Sequence, residues 1–401
     1  MPDMDVQKAL TSLQEFIKLI VEAGVTTEYS SWAKANELTI AKLFCYKRKE
    51  GMPAIYELVR PFFHPSLPHP SLPLIGLNYT SAANANLFGD WISGWTDALR
   101  LCRGIVFDTS GNLIAFPFPK FFNFQEHEET KTTNLPDGPF VITSKYDGHL
   151  GIIFEYNGQL ILTTRGSFTS PSAELGNQII THHYKRFGWK LRFPSQLTLL
   201  AEIIAPETQV HLNYGNKRYL MVVGAFNRDT LAEFSYSQLQ ELGHALHITV
   251  ARRLTIDSIN ELLSMIADPR FTDREGYVVR FSSNGLRVKF KFRTYLQKMF
   301  MSALTGKGYA ALMQWWLNGE LANKLALLPE EVVTKINKMW SEITTVMAGP
   351  GEPQAKWQRL YLFYNDNADT LSPTDHPSVI QQSTFQAICR EFCKEYCQQI
   401  D

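Results

Sequence analysis

Lys145-Tyr146-Asp147-Gly148 interrupts the apolar stretch PFVITSKYDGHLGIIF at what reads as an exposed turn. A lysine leaving a strand, followed by Asp and Gly, presents an amine that can attack a phosphorus atom. The attack needs the neutral amine, whereas an ordinary lysine has a pKa of ~10.4. Lowering it by about three units disfavours the ammonium by roughly 4 kcal/mol, through neighbouring cations, a bound metal or desolvation. Cations are therefore expected close to Lys145. Arg103-Gly104 opens one strand, and Lys120 closes a hairpin arm in Pro119-Lys120-Phe121-Phe122-Asn123. Strand-end cations beside glycine suit a polyphosphate. Arg165-Gly166 ends a later return strand. Glu202, in LTLLAEIIAP, is either a costly buried carboxylate with a partner or a strand-end carboxylate facing a cleft, within reach of ribose hydroxyls or metal-bound water; the strand's end at Ala205-Pro206 favours the second. Glu275-Gly276 precedes another apolar strand and suits a hard divalent cation. From Arg287 to Arg293 cations alternate strictly with Val288, Phe290 and Phe292, which in a strand puts Arg287, Lys289, Lys291 and Arg293 on one face. An anion between them would explain four like charges. Taken singly, each feature has a plainer reading: a turn lysine, a pair of surface cations, a solvated edge strand.

The elements that must position these groups follow from composition and periodicity. The chain has 401 residues, 45% hydrophobic and 19% charged, enough for two or three domains with large cores. Net charge is zero, so a phosphate-binding surface must be local. Residues 6–24 read as an amphipathic helix, not a signal peptide, and no window has the roughly 20 apolar residues of a membrane span. A cytoplasmic location is expected. Of five cysteines, Cys389, Cys393 and Cys397 share a helical stripe with Phe385, Phe392 and Tyr396, and read as small buried hydrophobes with reduced thiols. Residues 61–82, rich in Pro, His and Ser, read as an irregular loop or arm. From about 101 to 293, short β-like runs dominate, interrupted by helical patterns near 174–187, 236–247 and 256–267. This is an α+β domain built on antiparallel sheets. After about 299 the period changes to 3.6 residues, which predicts a separate all-helical domain. Residues 299–401 hold eight basic and eleven acidic side chains, so the surplus positive charge lies on the β-rich side. Trp315, Trp316, Trp340 and Trp357 of the tail read as core.

Together these residues resemble the covalent nucleotidyltransferase superfamily of ligases and capping enzymes, and more closely the bacteriophage RNA ligase 1 family. Lys145–Gly148 stands as the KxDG adenylation motif, Glu202 as the downstream acid, Glu275-Gly276 as the EG motif and Lys289-Phe290-Lys291 as KxK. CRGIVF and FPKFFNFQE carry the likeness to RNA ligase 1. His149 stands where a small hydroxyl residue is common, and Arg165 where a lysine is. The resemblance covers about 101–298. It implies an antiparallel-sheet adenylation domain over 1–298, with an N-terminal extension, and a helical domain over 299–401. It implies that Lys145 attacks the α-phosphorus of ATP to form lysyl-AMP, that AMP passes to the 5'-phosphate of an RNA end, and that a 3'-hydroxyl displaces it. Arg103, Lys120, Arg165, Lys289 and Lys291 are then implied phosphate contacts. Phe122, Asp147, Gly148 and Tyr295 complete the nucleotide set. Glu275 and Glu202 are the implied residues for Mg2+ or Mn2+. The implied partner is single-stranded or nicked-loop RNA with 5'-phosphate and 3'-hydroxyl ends, with tRNA repair as the setting and no obligate protein partner. Two other readings stay open: a GTP-using capping-type nucleotidyltransferase, and a non-catalytic RNA-binding protein with a decayed ligase site.

Overall fold

The computed structural model of the chain describes residues 4–25, 29–50, 52–65, 73–86, 94–189, 193–326, 328, 330–367 and 382–400. Two units separate. One holds Met1–Ile266 with Asp273–Lys291, the other Ala267–Thr272 with Phe292–Asp401.

In the first unit, helix Val6–Glu22 buries Leu10, Leu13, Phe16, Ile17 and Ile20, the stripe expected from its period. Asp5 caps it, its carboxylate accepting from the Lys8 N–H at 3.0 Å. Its core is shared with a four-stranded antiparallel sheet of β1 (Val59–Phe63), β2 (Leu74–Tyr79), β3 (Arg103–Asp108) and β4 (Leu113–Ala115), in that spatial order. Most of β1 and all of β2 fall inside the 61–82 stretch expected to be irregular. Pro61 is tolerated because β1 is an edge strand, and Leu74, Ile75 and Leu77 have buried apolar side chains. Residues 66–72 of that stretch lie outside the described residues.

Two five-stranded sheets follow. Their strands are β5 (Phe122–Asn123), β6 (Phe140–Lys145), β7 (His149–Tyr156), β8 (Gln159–Thr164), β9 (Leu197–Ile204), β10 (Tyr219–Asn227), β11 (Thr249–Val250), β12 (Arg253–Leu254), β13 (Gly276–Phe281) and β14 (Arg287–Lys291). One sheet runs β12-β6-β13-β14-β5 and the other β11-β10-β9-β7-β8. All pairings are antiparallel except β14 with β5 and β10 with β11. Helices Pro171–Phe187, Tyr236–Leu246 and Ile259–Ala267 stand where the helical patterns lay. Ser235 caps the second through a reciprocal bond with Gln238.

The second unit is helical: Arg293–Leu317 with a break at Gly308, Leu321–Leu325, Glu330–Ala348, Pro353–Asn367 and Gln382–Ile400. Its core contains Trp315, Trp357, Cys389, Phe392 and Cys393, while Trp316 and Trp340 pack against it. Arg293 is therefore not a strand residue. Phe292 precedes the first turn of the helix, and the Arg293 guanidinium reaches the Ala326 carbonyl. The basic strand face carries three cations, not four. Among the described residues no helix is long and apolar enough to cross a membrane.

Candidate active site

Strand register gathers the charged groups. Lys145 ends β6 and Lys291 ends β14, and both pair with Gly276, the first residue of β13. Glu275, one residue earlier, is thereby held between two amines. Lys145 Nζ donates to its Oε2 at 2.8 Å, and Lys291 Nζ lies 3.1 Å from Oε1. Glu275 is only 3% exposed, so this pairing satisfies a carboxylate that could not otherwise be buried. The two-residue period then places Val141 and Thr143 of β6, Val278 and Arg280 of β13, and Arg287 and Lys289 of β14 on the same face. All of them line one cavity of about 840 Å³. Ile142, Val279, Val288 and Phe290, at the alternate positions, are buried.

The other five-stranded sheet contributes Leu150, Glu202 and Val223 to the cavity wall. Leu150 sits directly opposite Glu202 in the β7–β9 ladder. Gly148 lets the lysine turn press onto β9: a Cβ there would lie 2.4 Å from the Ile203 carbonyl and 3.0 Å from Glu202 Cγ. A third group of cations, Arg103, Arg165 and Lys289, lines the same cavity. Gly104 makes the first two neighbours. Its φ is +89°, and a Cβ would meet Ile152 at 2.4 Å and the Arg165 Cα at 3.0 Å. Lys289 Nζ donates to the Phe121 carbonyl at 2.9 Å and lies over the Phe121 ring, as does the Arg103 guanidinium.

The expected anion between the β14 cations is in part supplied by the protein. Arg287 pairs with Glu233, which also holds Arg280 at 3.2 Å, and Lys291 pairs with Glu275. Among the described residues, Arg103, Arg165 and Lys289 have no carboxylate within ion-pair distance. Those three cations face the cavity.

Four residues of the expected set are not on the cavity wall. Asp147 is buried, and its Oδ2 accepts from the His211 and Leu212 N–H groups at 2.8 and 2.7 Å, fastening that loop to the lysine turn. Lys120 and Phe122 sit together in an aromatic cluster. Tyr295 is buried in the first helix of the second unit. Conversely, Asn78, Glu233 and Arg280 line the cavity without having been singled out. Nothing local to their segments marks them. Arg287 was visible only through its alternation.

Protonation follows from this packing. Burial acts to lower the Lys145 pKa, but Glu275, then Glu202, and the hydrogen bond to Glu275 outweigh it, so the amine lies above its ordinary value. This corrects the expectation of a depressed lysine: carboxylates, not cations, are the nearest charges. Burial pushes the Glu202 carboxyl up to about 7, opposed by Lys145 and reinforced by Glu275. Lys289 is held well below the usual lysine range, by burial first and then by Lys120, Arg103 and Lys145.

No group of three or more His, Cys, Asp or Glu side chains able to hold a metal occurs among the described residues. Among the described residues the cavity is lined by three carboxylates, Glu202, Glu233 and Glu275, of which Glu233 is paired with Arg280 and Arg287. Such a donor set fits Mg2+ or Mn2+ only as an ion shared with substrate phosphates, the usual way Mg2+ is bound.

Residues 101–299 match the sequence model of the RNA ligase family, of the bacteriophage T4 RNA ligase 1 type. A protein of Thermovibrio ammonificans named "Putative RNA ligase" is 28% identical over 189 residues, covering 46% of this chain and 48% of its own. Among solved structures, Naegleria gruberi RNA ligase is similar in a mutant form with AMP and Mn (17% identity, 40% of this chain and 51% of that one, TM-score 0.34). A second mutant form, with ATP and Mn, is similar at 18% identity over 45% of this chain and 58% of that one, TM-score 0.36. The chain thus spans about half the length of the relatives it matches.

Proposed function

We propose, from the match of residues 101–299 to the RNA ligase family model, that this protein is an ATP-dependent ligase joining 5'-phosphate and 3'-hydroxyl RNA ends through a lysyl-AMP intermediate. The observation that carries the reading is the convergence of Lys145, Glu275 and Lys291 within 3.1 Å contacts, in a cavity that also presents Arg103, Arg165, Lys289 and Glu202. Lys145 Nζ attacks the α-phosphorus of ATP, the bond to the bridging oxygen breaks, and pyrophosphate leaves. Arg103, Arg165 and Lys289 bind the β- and γ-phosphates and neutralise the charge of the leaving group. Positioning and charge stabilisation are what phosphoryl transfer chiefly requires. The amine gives up its proton to solvent before attack. AMP then passes from Lys145 to the RNA 5'-phosphate, and the 3'-hydroxyl of the other end displaces it. Glu275 and Glu202 would hold a divalent cation, Mg2+ or Mn2+, which supplies charge neutralisation at the phosphates. Gly148 keeps the lysine turn against Glu202, and Asp147 holds it to the 211–212 loop. Repair of broken RNA such as tRNA is the setting proposed for this chemistry.

Incubation with α-labelled ATP and a divalent cation, followed by denaturing electrophoresis, tests the reading. The expected result is a labelled protein band that is lost in Lys145→Ala. Persistence of the band in that variant overturns the assignment of the nucleophile. Label from GTP but not ATP would move the reading to a capping-type enzyme.

A further inference from the structure

Lys120 and Phe122 lie off the cavity wall, yet both belong to a cluster that meets the cavity-lining Arg165 through a side chain itself off the wall. That side chain is Tyr79, the last residue of β2 and 3% exposed. The Lys120 ammonium lies over three rings, Tyr79 at 5.3 Å, Trp95 at 5.1 Å and Phe122 at 5.0 Å, and donates to Asn84 Oδ1 at 2.9 Å. Such a cage attracts a cation through the ring quadrupoles and holds it in place. Trp95 packs edge-on against both Tyr79 and Phe122. On its other side the Tyr79 hydroxyl accepts from Arg165 Nη1 at 2.6 Å, and the Arg165 guanidinium lies 4.6 Å from the ring centroid. The Tyr79 N–H donates to the Cys102 carbonyl at 2.6 Å, which ties the phenol to the strand that begins with Arg103. Burial alone would raise the phenol's pKa, but Arg103, Lys120 and Arg165 together bring it below the ordinary value, as expected for an oxygen that accepts from cations.

An arginine has several rotatable bonds, and ordering it on a ligand costs conformational entropy unless it is already held. We propose that Tyr79 is a positioning residue: it fixes the Arg165 guanidinium toward the cavity, and the caged Lys120 with Phe122 acts on the phosphate side of the site through the Tyr79 ring. This rests on the reading of ATP as co-substrate. No motif marks Tyr79, which lies outside the 101–299 segment.

The test uses the full chain as wild type, Tyr79→Phe, Arg165→Ala and the double variant. The phenylalanine keeps the ring and the cage and removes only the hydroxyl. Self-adenylation with labelled ATP should show KM for ATP rising about tenfold in Tyr79→Phe, the scale of one hydrogen bond to a charged group, with a smaller change in kcat. The double variant should be no worse than Arg165→Ala, because both changes remove one device. A normal KM in Tyr79→Phe, losses that multiply in the double variant, or a fall in Tm with KM unchanged would each overturn the proposal. A second readout needs no nucleotide: 15N relaxation of the Arg165 Nε–H should show a rigid group in wild type and a mobile one in Tyr79→Phe. If wild type takes no label from ATP, the proposed function fails, and the relaxation measurement still decides the role of Tyr79. An Arg165 side chain equally rigid in both proteins would overturn it.

Discussion

Glu275 sets the protonation of the site by touching two amines at once. Because the Lys145 amine sits above its usual value, the fraction competent for attack rises as pH rises through and beyond neutrality. We expect the rate of Lys145 labelling by ATP to increase with pH between about 6 and 9, measured with the metal saturating. Glu275→Gln removes the largest charge that raises the amine. In that variant Lys145 should react faster with an amine-selective acylating reagent at pH 8, read by peptide mass spectrometry, although ATP labelling falls. Glu202 gives a stability prediction of the opposite kind. Its folded pKa, about 7, exceeds its unfolded value, so the contribution is fully present below about pH 4 and is lost as pH rises through 7. Glu202→Gln should therefore melt higher than wild type at pH 8, with the gain shrinking toward pH 5, while losing adenylation. A thermal melt at the two pH values checks the sign.

At the scale of elements, the site depends on three strand ends meeting. Lys145, Glu275 and Lys291 are scattered along the chain, and the β6–β13–β14 register alone makes them neighbours. Close approach of backbones does the rest. Gly104 combines a positive φ with a Cβ position already filled by Ile152. Gly104→Ala should cost about 1–3 kcal/mol by overpacking and strain, read by urea denaturation, and should separate Arg103 from Arg165, weakening ATP binding. Much of this was legible. The alternation of Arg287, Lys289 and Lys291 announced a strand face, and KxDG announced a turn. Arg293 misled because strict alternation continues one step past the strand. Only the start of the helix Arg293–Leu317 shows that the period has changed.

For the whole molecule, each unit has its own hydrophobic core, and the helical one is built on Trp315, Trp357 and Phe392. Phe392 is fully buried and packs edge-on against Trp316 and Trp340. Phe392→Ala should cost about 3–5 kcal/mol. Denaturation followed by a probe in each unit should show the helical transition moving to lower urea while that of the β-rich unit stays in place. A zero net charge requires any phosphate-binding surface to be local, and the proposed one is: Arg103, Arg165 and Lys289 line one cavity and form no ion pair among the described residues.

Read alone, the sequence determined the α+β core with a helical tail, the lysine turn and the motif set, because periodicity and turn chemistry are local properties. Folding decided the rest. Which cations stay unpaired depends on where Glu233 and Glu275 end up, and the sign of the Lys145 shift depends on distances that no spacing encodes. Lys120 and Phe122 entered the aromatic cluster because Tyr79 of β2 and Trp95, both earlier in the chain than the motif segment, pack over them. Electrostatic and packing energies depend on separation in space, and only the tertiary structure sets that.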